Sequence, residues 1–304
     1  MRRVRVGVLD VGSVAAKLEI IDVRGRKPPR STSLARVPTR LAEGTSANGE
    51  LDARCLRRLT AAVQQCVRIG SRHDVPMWVT YATAAVRDAA NGRHARRLVE
   101  AETGLRLGFF TGEQEGRYTF RAAQRWLGGE LTMVDIGGGT LEVASGHGPE
   151  PESVISAPLG AARLTRQFLR IDPPRGSQVR RLTEVVDGQL AELLRDVPAG
   201  QRQFAGAGKV LKLLAQLSNE DAAREDLLLL DDLRDCIPRL STLDRAGRCA
   251  LPGVPRARAD RILAGAITAE ALMRRLGTDQ LRICPWGLRE GVALREHARH
   301  RTGR

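Results

Sequence analysis

Between Met133 and Val143 the chain reads Met-Val-Asp-Ile-Gly-Gly-Gly-Thr-Leu-Glu-Val, and few folds accept such a stretch. Two runs of β-forming residues flank three consecutive glycines, with Asp135 just before them and Glu142 just after. Glycine has no Cβ and tolerates positive φ, so a turn made of it lets the backbone come close to a ligand. Successive bare N–H groups form a concavity for an anion, such as a phosphate. Two carboxylates would repel that phosphate. They belong beside it if a hard cation such as Mg2+ lies between, or if one of them positions a water. Alone, the stretch fits equally well a glycine-rich hairpin with two solvated acids.

A second copy shifts the balance. Near the N-terminus the chain reads Val8-Leu9-Asp10-Val11-Gly12-Ser13, followed by an apolar strand from Leu18 to Val23. Strand, Asp, Gly, strand, occurring twice, resembles the duplicated phosphate loops of the actin-like phosphotransfer fold. Sugar kinases, heat-shock ATPases and one group of phosphatases share it. Elsewhere strands alternate with helical patterns in both halves, which argues an α/β protein rather than an all-helical or all-β one.

Composition sets outer limits. The 304 residues suffice for two domains with separate cores. A hydrophobic share of 42% with 28% charged residues describes an ordinary globular chain. No apolar run is long enough to cross a bilayer, and the opening Met-Arg-Arg-Val-Arg-Val passes straight into a strand, so neither a signal peptide nor a membrane span is expected. A cytoplasmic location follows as an expectation. Cys55, Cys66, Cys236, Cys249 and Cys284 form no close pair, which suggests reduced thiols rather than zinc ligands or disulfides. The net charge of +14 favours polyanionic partners, but only 3% of residues are aromatic, which argues against a base-stacking nucleic-acid surface.

Local patterns predict two strands over 4–23, an exposed turn over 25–36 around Pro28 and Pro29, and an amphipathic helix over 52–69 with Arg57 and Arg58 outward. A strand over 76–81, helices over 82–91 and 93–102, a strand over 105–110 and a helix from 111 to 126 complete the first half. The second half predicts a strand at 153–156, helices over 176–195, 209–217, 227–240 and 258–276, a strand at 281–284 and a terminal helix from 285. The five histidines, His73, His94, His147, His297 and His300, are dispersed and expected at the surface.

At this point the residues resemble one family, the exopolyphosphatase/guanosine pentaphosphate phosphohydrolases, from Val6 to Glu296. The resemblance rests on the loop Asp10-Val11-Gly12-Ser13 and on the Ala-Thr-x-Ala-x-Arg-x-Ala-x-Asn block at 82–91. It continues through the Gly-x-x-Glu block at 112–115, the run from Asp135 to Glu142, Leu159-Gly160-Ala161-x-Arg163-Leu164, and Pro285-Trp286-x-Leu288-Arg289-Glu290-Gly291. The last block looks like the short, two-domain actinobacterial branch.

The resemblance implies two ribonuclease H-like domains, 1–127 with 285–304 packing back, and 128–284, with a ligand cleft between them and a homodimeric assembly. It implies Mg2+-dependent release of terminal phosphate from inorganic polyphosphate or from guanosine pentaphosphate. Glu115 falls at the family's general base. Asp10, Asp135 and Glu142 fall at positions that organise metal and water. Gly12, Ser13, Gly137, Gly138, Gly139 and Thr140 would supply N–H and hydroxyl donors to phosphate, Arg87 a guanidinium. Gly206, Gly208 and Lys209 lie where other members carry a further cradle. Each residue also has a plainer role: Glu113 and Glu115 as first-turn acids of their helix, Arg87 as a partner of Asp88 or Glu113, Lys209 as a helix-start lysine without P-loop spacing.

The chain departs from the family in its first loop, where Val14 and Ala15 replace Asn and Ser/Thr; one lost charge-assisted donor costs roughly 1.5–3 kcal/mol. Lys17, where relatives often have His or Arg, offsets part of this. Gln114 stands where an acid is common, and the turn near 204–212 lacks the usual hydroxyls. Two main readings follow: a working phosphohydrolase, or a catalytically weakened relative that senses polyphosphate or a guanosine phosphate. An ATP-using enzyme of the same fold is the third.

Overall fold

The structure, a computed structural model, describes residues 3–46, 48–195, 197, 202–218 and 226–302. The chain forms two compact units, Met1–Thr111 with Arg289–Arg304, and Gly112–Leu288.

The first unit holds a five-stranded sheet in the order β3-β2-β1-β4-β5. Its strands are β1 (Arg3–Val11), β2 (Ala15–Arg24), β3 (Arg30–Pro38), β4 (Met77–Ala82) and β5 (Gly108–Phe109). Helix α1 (Ala53–Gly70) starts on Asp52, whose Oδ1 accepts from the Cys55 N–H at 2.6 Å. It buries Leu56, Leu59, Val63 and Cys66 toward β2 and β3, as their spacing predicts. Each such side chain contributes about 1.5–3 kcal/mol of burial. Arg57 is exposed, whereas Arg58 reaches back to the Arg40 carbonyl at 2.8 Å. Two shorter helices follow, α2 (Ala84–Arg87) and α3 (Gly92–Thr103).

The second unit opens with α4 (Gly112–Leu127), ahead of the boundary expected after residue 127. This helix packs on β6 (Leu131–Ile136), β7 (Leu141–Gly146) and β8 (Ser153–Ala157), burying Phe120 and Ala123 there. The six-stranded sheet runs β10-β11-β9-β6-β7-β8, with β9 (Gln203–Ala207), β10 (Leu227–Leu229) and β11 (Gln280–Ile283). The remaining helices are α5 (Ala161–Phe168), α6 (Gly176–Leu193), α7 (Gly208–Ser218), α8 (Leu230–Thr242), α9 (Arg245–Cys249) and α10 (Ile262–Leu276). Helix α10 is apolar nearly all round, the pattern of a fully enclosed helix; it is buried among α5, α6, α7 and α8. The terminal helix α11 (Leu288–Thr302) joins the first unit, where Arg289 forms an ion pair with Glu19 of β2.

The two units repeat one device. In each, a leading strand turns through four residues into an antiparallel partner, which pairs with a third antiparallel strand. Asp10 stands opposite Lys17 on β1 and β2, and Asp135 opposite Glu142 on β6 and β7. Both turns close with the same bond, Gly12 N–H to the Ala15 carbonyl (3.1 Å) and Gly137 N–H to the Thr140 carbonyl (2.8 Å). Each leading strand then pairs in parallel with a later strand, Asp10 beside Tyr81 and Asp135 beside Ala207. Register therefore equates Val14 with Gly139, Ala15 with Thr140 and Lys17 with Glu142.

Several expectations need revision. Residues 30–38 are not turn but the edge strand β3, held by backbone pairing to β2 although six of its nine residues are exposed. Residues 227–229 form β10, paired with β11, before α8 begins; a leucine run reads equally as strand or helix by periodicity. The helix over 82–91 shortens to α2, the strand over 105–110 to β5, and α10 starts at Ile262 rather than 258. His297 is buried on α11, not at the surface. No helix among the described residues is long and apolar enough to cross a membrane.

Candidate active site

Glu142 is only 4% exposed, in the middle of an apolar sheet. Ser156, its neighbour across β7 and β8, donates to Oε1 at 3.2 Å. Burial pushes its pKa up to about 8, aided by the charges of Asp135 and Glu115 and opposed by hydrogen bonds from Thr140 and Ser156. Asp135 is raised to about 6 by burial. The protein thus holds two acids side by side where neither is well hydrated.

Glu115 reaches this pair because of two glycines. Gly112 and Gly116, one helical turn apart on α4, face β7 and β8: a Cβ on Gly112 would lie 1.9 Å from Ser156 Oγ, and one on Gly116 3.4 Å from Glu142 Cβ. Their bare backbones let α4 settle low over Glu142, with Glu115 half-buried between them while Glu113 and Gln114 are exposed. The Gly-x-x-Glu spacing is thus a packing requirement that delivers a carboxylate. Asp135 is walled on its other side by Gly208, where φ is +77° and a Cβ would stand 2.1 Å from Oδ1.

Beside the acids runs the loop Gly137–Gly139, and all three of its carbonyls turn away from it into the start of α5. Gly137 O accepts from Ala161 N–H (3.0 Å), Gly138 O from Ala162 and Arg163 N–H (2.9 and 3.0 Å), and Gly139 O from Gly160 N–H (3.3 Å). With the negative ends of its dipoles committed, the loop presents an anion-receptive edge. This docking demands a glycine at 160, since a Cβ there would lie 2.3 Å from both Gly139 C and Thr140 N. Gly160→Ala should therefore cost about 3 kcal/mol or more of stability by overpacking. The checking measurement is the denaturation midpoint, and an unshifted midpoint would refute the close docking.

The first unit's loop is backed in the same manner by a different segment. Gly12 O accepts from Thr39 Oγ1 (2.7 Å), Ser13 O from Leu41 N–H (2.8 Å), and Val14 O from the N–H groups of Thr39 and Arg40 (2.9 and 3.2 Å). Arg40 adopts φ 47°, a conformation that a residue with a side chain rarely takes. At the loop tip Val14 is 51% exposed, where its counterpart is a glycine.

Other predicted residues are placed as follows. Arg87 donates to the Phe110 carbonyl and pairs with Asp88, both at 2.7 Å, the plainer of its two roles. Lys209 is exposed at the second position of α7. Gly206 lies buried inside β9, where Ile283 and Leu211 close on it, so it serves packing rather than facing a ligand. Sequence reasoning missed Ser156 and the backing segments, which only strand register exposes.

Mg2+ suits the second unit's donor set. Asp135 and Glu142 are hard oxygen donors whose mutual repulsion a cation would relieve, with Thr140 beside them, and Mg2+ commonly uses one or two carboxylates plus substrate oxygens. Among the described residues no cluster of three or more His, Cys, Asp or Glu side chains forms a complete metal cage.

A duplicated hairpin loop, each copy led by an aspartate and backed by its own segment, defines the actin-like, ribonuclease H-like fold. Comparison with known proteins narrows this further. Residues 26–300 match the Ppx/GppA phosphatase family, and the chain belongs to it. It is 38% identical over 302 residues to Exopolyphosphatase 1 of Mycobacterium tuberculosis strain H37Rv, covering 96% of this chain and 88% of that one. Exopolyphosphatase 2 of the same organism is 31% identical over 310 residues, covering 96% and 94%. A crystal structure of the Aquifex aeolicus family member superposes with a TM-score of 0.84 at 27% identity, covering 98% of this chain and 99% of that one.

Proposed function

We propose that this protein is a Mg2+-dependent hydrolase that removes the terminal phosphate of inorganic polyphosphate. The observation that carries this is the gathering of Glu115, Asp135 and Glu142 from three elements beside an anion-receptive glycine loop. The two exopolyphosphatase relatives support the choice of substrate class.

In this reading the N–H groups of Gly138 and Gly139 hold oxygens of the terminal phosphate, the Gly137 N–H closing the turn on Thr140, and Asp135 with Glu142 would hold the metal. Mg2+ held there would supply charge neutralisation for the phosphate. Glu115 orients a water in line with the terminal phosphorus and takes its proton as the new P–O bond forms. The bridging P–O bond breaks, and orthophosphate leaves with a chain one unit shorter. Guanosine pentaphosphate, whose terminal anhydride has the same chemistry, is the second substrate to test.

A specific observation also favours sensing without turnover. Val14 puts an exposed apolar side chain at the tip of the first loop, and Ala15 removes the hydroxyl that its counterpart Thr140 keeps. Phosphate release from short and long polyphosphate and from guanosine pentaphosphate, with and without Mg2+, separates the readings. Mg2+-dependent turnover is the expected result. No release from any substrate, with polyphosphate still bound, would make the protein a sensor.

A further inference from the structure

The helix that fills the second unit, α10, begins just after Arg261, whose backbone N–H is bonded to the Arg258 carbonyl at 3.0 Å. Its guanidinium extends to the glycine loop: a methyl group built on Gly138 would lie 3.8 Å from Nη1. Among the described residues its one ion pair is a loose one. The Asp260 carboxylate stands 3.7 Å from Nε, beyond hydrogen-bond range. Nε itself is buried without an acceptor among the described residues. Buried donors are nearly always satisfied, and an exception calls for an explanation. Gly138, next to it, is exposed, and its carbonyl is already taken by α5. An anion arriving at the loop's N–H groups therefore also meets this guanidinium.

We propose that Arg261 is a phosphate-binding residue of the second loop, supplying the positive charge that backbone amides lack. This rests on reading Gly137–Gly139 as a phosphate cradle. Loop N–H groups give neutral hydrogen bonds, while a guanidinium adds charge and a planar pair of donors matched to phosphate oxygens. The partner is the phosphoanhydride chain itself. A merely solvated arginine at a helix start would leave the chain's affinity unchanged.

The test compares wild type, Arg261→Ala and Arg261→Lys in steady-state hydrolysis of polyphosphate. Tripolyphosphate binding is measured by calorimetry in the Glu115→Gln background. We expect Arg261→Ala to raise KM and weaken tripolyphosphate binding by about tenfold or more. We expect kcat to hold within about threefold, with lysine intermediate. Unchanged KM and unchanged tripolyphosphate affinity in a variant that melts like wild type overturn the proposal. Should the alanine variant misfold, Arg261→Gln, which keeps a long polar side chain, replaces it with the same criteria. Arg261-dependent binding by a wild type that does not hydrolyse sustains the proposal and sinks only the hydrolase reading. No binding and no hydrolysis sink both.

Discussion

Glu115→Gln is expected to lower polyphosphate hydrolysis by about 10²–10⁴-fold, the usual contribution of a positioned general base. Tripolyphosphate affinity should hold, because the amide keeps the shape of the carboxylate and the loop donors are untouched. Glu115 sits between Gly112 and Gly116, whose missing side chains bring α4 onto Glu142, and its charge is felt there. If Glu115 were only a dipole partner, the substitution would lower stability by a few tenths of a kcal/mol to about 1 kcal/mol and leave kcat unaltered. Equal kcat in wild type and Glu115→Gln would remove it from the mechanism.

The second large effect concerns stability, and its sign is opposite to that of most substitutions. Glu142→Gln should stabilise the metal-free protein at pH 8 while destroying turnover. A carboxyl whose pKa is about 8 when folded, against an ordinary 4.5, binds its proton more tightly in the folded state. The stability it carries is full below about pH 4.5 and is lost as pH rises through about 8. The slope is roughly 1.4 kcal/mol per pH unit across that window. Glutamine cannot ionise, so the variant should show a flatter dependence of melting temperature on pH. Thermal melts in a chelator from pH 5 to 9 measure this directly. Identical slopes for variant and wild type would show that Glu142 is not the buried acid described above. Mg2+ should restore stability to wild type at pH 8 far more than to the variant, whose donor is weaker.

What the sequence made legible follows from how local each feature is. The glycine loops, their aspartates and Glu115 stand out because glycine and acid at fixed spacing are local signals. The amphipathic α1 was equally plain, since one helix face carries its apolar residues. β3 is not, because four exposed residues open it and only Leu34, Ala35 and Val37 pack on the core, too few for a hydrophobic alternation to read. β10 was hidden in a leucine run that suits either structure. The tertiary partners, Ser156 against Glu142 and Arg261 against Gly138, depend on register and on segments far apart in sequence. Gly206 shows the reverse case: a glycine near a motif reads as ligand-facing, and the space around it is filled by Ile283 and Leu211. A buried histidine, His297, is likewise invisible in a helix that mixes basic and apolar residues.

The docking of the glycine loop on α5 has a mechanical consequence. The leading N–H groups of a helix ordinarily exchange their hydrogens freely with water, having no partner within the helix. Here those of Ala161, Ala162 and Arg163, with Gly160 before them, are held by the loop's carbonyls. Loop and helix head therefore open together or not at all. The rate at which these amides trade hydrogen for deuterium is a clock for the loop itself, running inside the protein without any label.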